Sequence, residues 1–134
     1  MADGIKGVKG VNAITLFVED LPAAKAFQTD VFDMPLKFED EVSAAYDFGA
    51  VLVNLLAVAA APDLVEPASV ASPDAGQRFV LTVEVDDVDA VCGRLRTRGI
   101  TPLSGPVDRP WGIRTANFRD PAGHVWEIAH PLGR

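Results

Sequence analysis

Thr15-Leu16-Phe17-Val18-Glu19-Asp20-Leu21 is written again as Thr82-Val83-Glu84-Val85-Asp86-Asp87-Val88. Thr15 to Thr82, Val18 to Val85 and Asp20 to Asp87 all stand 67 positions apart, which is half of the 134-residue chain. Each copy reads as a strand running into an acidic helix start. Such a unit used twice predicts two similar modules packed into one small body. Residues 12–18 alternate, with Ala13, Thr15 and Phe17 on one face and Ile14, Leu16 and Val18 on the other. The uniformly aliphatic set is expected to face a helix.

Outward from the first copy, Asp20 is placed to cap a helix with Pro22 in its first turn, where a missing N–H costs least. Ala23, Ala24, Ala26, Phe27 and Val31 give that helix an apolar stripe. Short strands are predicted at 36–40, 43–48 and 50–57, with Gly49 turning the chain between the last two. Residues 58–77, rich in Ala, Pro, Ser and Asp, read as a linker with a short helical turn. In the second copy Phe79, Leu81, Val83 and Val85 form one strand face, and Val80, Thr82 and Glu84 the other. Asp87 caps a helix running to about Arg98, and Gly99 ends it. Strands are expected near 101–103, 113–118 and 124–130, separated by a rigid Gly/Pro-rich loop at 105–112 and a type I turn at Asp120-Pro121-Ala122-Gly123. The expectation is an α+β fold: two tandem βαβββ modules, about 10–57 and 78–131, in a single domain over 1–134. They form a curved mixed sheet around a central cup, with helices outside.

The bulk numbers exclude several functions. Hydrophobic residues are 49% and charged residues 23% of the chain, a globular balance. No apolar run reaches the roughly 20 residues of a membrane span. The start, Met1-Ala2-Asp3-Gly4-Ile5-Lys6, has no apolar core of signal-peptide type. Cys92 is the only cysteine, so no internal disulfide forms; it is expected to be buried and inert on the second helix. These features favour the cytoplasm. A net charge of −7 disfavours nucleic acid. There is no Gly-x-Ser-x-Gly elbow and no phosphate-cradling loop.

The layout resembles the vicinal oxygen chelate superfamily, which includes glyoxalase I, extradiol dioxygenases and bleomycin-resistance proteins. The resemblance spans about residues 10–131. Its carriers are Val18-Glu19-Asp20-Leu21, Val85-Asp86-Asp87-Val88-Asp89-Ala90, Arg109-Pro110-Trp111-Gly112 with Arg114, and Phe118-Arg119-Asp120-Pro121-Ala122-Gly123-His124-Val125-Trp126-Glu127. The resemblance implies a homodimer, and ligands for a divalent metal from the first and last strand of each module. Those positions here are Ala13 and its repeat mate Val80, and Asn54 and Glu127, which stand 73 apart. Two aliphatic groups, one amide and one carboxylate do not make a catalytic metal site. His124, in a turn, and His130, near the end of the last strand, are expected to be surface or end-of-strand residues.

With no metal or other cofactor, the cup becomes a binding site for a small organic ligand. Its expected lining is Thr15, Phe17, Asn54, Thr82, Trp111, Arg114 and Glu127. Trp111 offers a stacking surface, with a loop anchor as its plainer role. Arg114 could clamp a carboxylate, or could be tied up by Glu127 or Asp108. Trp126 alternates with Glu127 and is expected in the core. The reading is a metal-independent binding protein that sequesters an aromatic or natural-product-like ligand. The alternative is an enzyme, a lyase, isomerase or dioxygenase, with an atypical metal site or with Glu127 as general base. A third is a scaffold whose cup is filled by its own side chains.

Overall fold

A computed structural model of the chain describes residues 4–133; Met1–Asp3, half of the N-terminal hexapeptide considered above, lie outside the described residues. The first half builds β1 (Ala13–Val18), α1 (Leu21–Val31), β2 (Leu36–Glu39), β3 (Ser43–Asp47) and β4 (Leu52–Ala57). A 3₁₀ turn (Val58–Ala60) and the short α2 (Pro62–Val65) follow. The second half builds β5 (Leu81–Glu84), α3 (Val88–Thr97), β6 (Ser104–Asp108), β7 (Ile113–Arg119) and β8 (Val125–Pro131). The result is an α+β fold of two four-stranded mixed sheets, ordered β1-β4-β3-β2 and β5-β8-β7-β6. In each, the first strand runs parallel to the last and the remaining pairs are antiparallel.

The repeat extends to individual hydrogen bonds. Asp20 accepts from the Ala23 N–H at 3.0 Å and Asp87 from the Ala90 N–H at 3.1 Å, so both helices start on the same cap. Gly99 closes α3 at φ 81°, and the Ile100 N–H turns back to the Leu95 carbonyl at 2.9 Å. The expected type I turn is closed by Gly123 N–H to the Asp120 carbonyl at 3.0 Å. Asp120 also accepts the indole N–H of Trp126 at 2.9 Å, which satisfies the one polar atom of that core residue.

Both helix-bearing faces feed one core. Leu16, Val18, Val53 and Leu55 of the first sheet join Ala116, Phe118, Trp126 and Ile128 of the second. Phe27 and Phe32 at α1 meet Phe118, and Phe32 and Phe48 meet Trp126, with ring centroids 5.0–6.2 Å apart. Helix α1 thus packs against the helix-bearing side of the second sheet as well as its own. Arg94 donates to the Asp30 carbonyl at 2.7 Å, and Arg98 pairs with the Asp30 carboxylate at 2.7 Å, tying α3 to α1. The opposite face of each sheet, here termed the open face, contributes nothing to this core: Ala45, Leu56 and Ala129 are buried there but stand outside the cluster.

Two boundaries differ from the sequence reading. The strand expected near 101–103 lies at Ser104–Asp108 and runs into the stretch 105–112 read as loop. Pro106 is accommodated because β6 is an edge strand, and Gly105 because a Cβ there would stand 2.5 Å from the Thr115 carbonyl oxygen. The strand expected from Phe79 begins at Leu81, and Phe79 and Val80 are exposed.

Candidate functional site

Strand pairing places the polar residues singled out above in matching positions. Thr15 lies beside Asn54 across β1 and β4, and Thr82 beside Glu127 across β5 and β8. Asn54 donates its amide to the Thr15 hydroxyl at 3.5 Å, a weak contact; the Thr82 hydroxyl donates to Glu127 at 2.8 Å. A paired residue shares the face of its partner, so each row continues outward. On the first sheet it runs Thr15, Asn54, Ala45, Phe38; on the second, Thr82, Glu127, Asn117, Ser104. Both rows lie on open faces.

The helix-bearing faces of the two sheets meet in the core, and neither of the two cavities described next is lined by residues of both rows. Thr15 and Phe17 line one of about 310 Å³, walled by residues 69–73 and 76–79 and the turn 122–124. A second, of about 400 Å³, lies between the free edges of β1 and β5. It is lined by Ile14, Phe48, Val53, Leu81, Val83 and Trp126, and bordered by Thr82 and Glu84.

Two expected lining residues sit elsewhere. Arg114 is on the helix-bearing face, because it pairs with His130 in β8, three positions from Glu127 and therefore on the opposite face. Its guanidinium takes both oxygens of Asp89 at 2.9 and 3.0 Å and Asp108 at 2.8 Å. Asp108 was one of its expected partners; Asp89 was not, because nothing in the sequence shows that the start of α3 lies over β7. Arg114 holds the Asp89 carboxyl below its ordinary range, and the two carboxylates raise the guanidinium's own pKa. Trp111 lies in a turn with 67% of its surface exposed, beneath Arg109, whose guanidinium carbon is 5.9 Å from the ring centroid.

Arg109 is a candidate site residue that the sequence reading did not include. Its Nε donates at 3.0 Å to the hydroxyl of Thr115, a buried residue of the open face. Only its place in the Arg-Pro-Trp-Gly stretch marked it. The histidines also do more than expected. His124 donates from Nε2 to the Phe17 carbonyl at 2.8 Å, joining the two halves. His130 accepts the Val88 N–H on Nδ1 at 2.9 Å, holding the start of α3. Cys92 is fully buried and burial raises its thiol pKa.

At the four positions where the family resemblance implies metal ligands, Ala13 and Val80 offer no donor, and Asn54 and Glu127 are each engaged by a threonine. One carboxylate and one amide do not fit a catalytic divalent ion. Among the described residues, no three His, Cys, Asp or Glu side chains come together to hold one.

The sequence model of the Glyoxalase/Bleomycin resistance protein/Dioxygenase superfamily matches residues 10–128. The chain belongs to that superfamily. The uncharacterized protein YraH of Bacillus subtilis (strain 168) is 31% identical over 119 residues, covering 86% of this chain and 93% of YraH. A glyoxalase/bleomycin resistance protein/dioxygenase from Nocardioides superposes with a TM-score of 0.77 at 26% identity, over 96% of this chain and 87% of its own. TnmS3, an antibiotic binding protein from Streptomyces sp. CB03234, superposes with a TM-score of 0.70 at 25% identity, over 95% of this chain and 99% of its own. Within this superfamily fold, no helix among the described residues is long and apolar enough to cross a membrane.

Proposed function

We propose that this protein binds a small organic molecule, aromatic or natural-product-like, without a metal, and acts by sequestering it. The observation that carries the reading is the pair of threonine-bound polar groups, Asn54 and Glu127, standing on open faces where chelating donors are missing. The likeness to an antibiotic binding protein supports it. The two open faces turn away from the shared core, so we further propose a homodimer, in which the first sheet of one copy and the second sheet of the other enclose the ligand. Exposed Phe38 on one open face fits an interface. A small apolar patch around Phe79 and Val80 adds to it.

Sedimentation should show a dimer, and a screen of aromatic ligands by calorimetry should give the same affinities with and without a chelator. A monomer that binds none of them, or binding that needs a divalent metal, would sink the reading. A second reading, in which Glu127 is a general base, is favoured by one observation: the Thr82 hydroxyl engages only one carboxylate oxygen. Glu127→Gln separates the two. An enzyme keeps its ligand and loses turnover, whereas a binding protein loses roughly tenfold in affinity, the order expected for one charge-assisted hydrogen bond.

A further inference from the structure

The open face of the second sheet holds three polar groups whose hydrogen-bonding capacity is unspent. Asn117 accepts at Oδ1 from both the backbone N–H and the hydroxyl of Ser104, each at 2.9 Å. A backbone N–H can only donate, so the amide oxygen must face Ser104 and Nδ2 must point the other way. That Nδ2 carries no protein partner among the described residues. Glu127, directly opposite Asn117 in the ladder, accepts from Thr82 at Oε1 only. A free donor and a free acceptor therefore stand side by side on neighbouring strands, with Cβ atoms about 5 Å apart. A ligand hydroxyl between them would donate to Glu127 and accept from Asn117.

The third group is Arg109. Its Nε is fixed by the buried Thr115 hydroxyl, and Trp111 lies beneath the guanidinium. Unlike Arg114, which is neutralised by two carboxylates, Arg109 has no salt bridge among the described residues. Half-buried and with both terminal nitrogens uncommitted, it suits a planar anion taken through two parallel hydrogen bonds. Thr115, which anchors Arg109, is two residues along β7 from Asn117, so the strand positions that carry the two groups stand one strand repeat apart, ~7 Å. A single aromatic ring substituted at opposite ends spans a comparable length.

We propose that this face selects a flat aromatic acid with a hydroxyl at the far end from its carboxylate, Arg109 taking the acid and Asn117 with Glu127 reading the hydroxyl. The proposal rests on the ligand-binding reading above and gives it a chemical class.

Calorimetry with 4-hydroxybenzoate, 4-hydroxybenzamide and benzoate tests it on the intact protein. The hydroxy acid should bind at least about tenfold more tightly than either analogue, the order of one good polar contact. Arg109→Gln should abolish the preference for acid over amide and leave the amide's affinity in place. Asn117→Ala should abolish the preference over benzoate. If Arg109→Gln fails to fold, Arg109→Lys and added salt replace it: salt should weaken the acid and not the amide. Equal affinity for acid and amide, or a preference that survives Arg109→Gln, overturns the proposal. Equal binding that Glu127→Gln still weakens leaves the ligand-binding reading standing. No binding of any aromatic compound removes both.

Discussion

The two halves share a scaffold and differ on their open faces. Each has an aspartate-capped helix, a parallel first–last strand pair and an edge strand with a register shift near its middle. On the first sheet the row across the open face fades from Thr15 and Asn54 to Ala45 and Phe38. On the second it stays polar, from Thr82 and Glu127 to Asn117 and Ser104. Duplication kept what burial demands, since a changed core residue leaves a cavity or a clash. It let the open faces diverge, and there the difference carries chemistry: a wall that turns apolar towards its outer edge from one half and a hydrogen-bonding wall from the other.

The edge strands give the largest test of this comparison. The shift in β6 falls between Ser104 and Val107, and Gly105 within it, at φ 89°, has no room for a Cβ beside the Thr115 carbonyl. The shift in β2 falls between Leu36 and Phe38, where Lys37 already carries a side chain. Gly105→Ala should cost on the order of 3 kcal/mol, because backbone must move to admit the methyl. Lys37→Ala should stay within about 0.5 kcal/mol, as for ordinary surface positions. Urea unfolding of both variants measures the contrast. Similar losses would mean that the two edges are equally constrained.

The helices give a smaller effect. Gln28 of α1 and Leu95 of α3 are repeat mates, and both are almost fully buried. Leu95 is apolar throughout, whereas the Oε1 of Gln28 has no partner among the described residues. A buried oxygen without a partner costs roughly 1–3 kcal/mol. The second half therefore shows what this position tolerates, and Gln28→Leu should raise stability by about 1 kcal/mol. A loss of stability on thermal unfolding would mean that the amide is bonded through ordered water.

How much of this was legible in the sequence follows from the same division. Period-2 alternation, Asp caps and Gly turns depend on neighbours in the chain, so the strands, helices and the α+β class could be read directly. Residues such as Arg114 could not, because its position depends on a ladder phase and on where α3 lies over β7. Arg109 was hidden for a related reason: it leaves the strand at a turn and reaches back to Thr115. That both helix-bearing faces close on one core, leaving the polar rows on separate surfaces, is a fact of tertiary packing to which no local pattern points.

The smallest effect separates two carboxylates, one per half, whose pKa values are lowered. Asp40, between β2 and β3, is lowered by hydrogen bonds from the Val42 N–H, the Ser43 hydroxyl and the Ser43 N–H. Asp89, at the start of α3, is lowered chiefly by its hydrogen bonds from Arg114. A carboxyl more acidic in the folded than in the unfolded chain stabilises the fold above the unfolded value, near ~4, and loses that contribution as the pH falls through the lower folded value. Both Asp40→Asn and Asp89→Asn should therefore weaken the protein slightly at neutral pH, with the deficit shrinking on acidification below about 4. Salt should distinguish them. Asp89 faces a full charge, so at ~1 M salt, with a Debye length of about 3 Å, the Asp89→Asn deficit should shrink. Asp40 is held by short neutral donors within its own turn, and its deficit should persist. Thermal melts across pH at low and high salt read both effects, and equal salt sensitivity would show that the Arg114 bridge is no more electrostatic in origin than the turn.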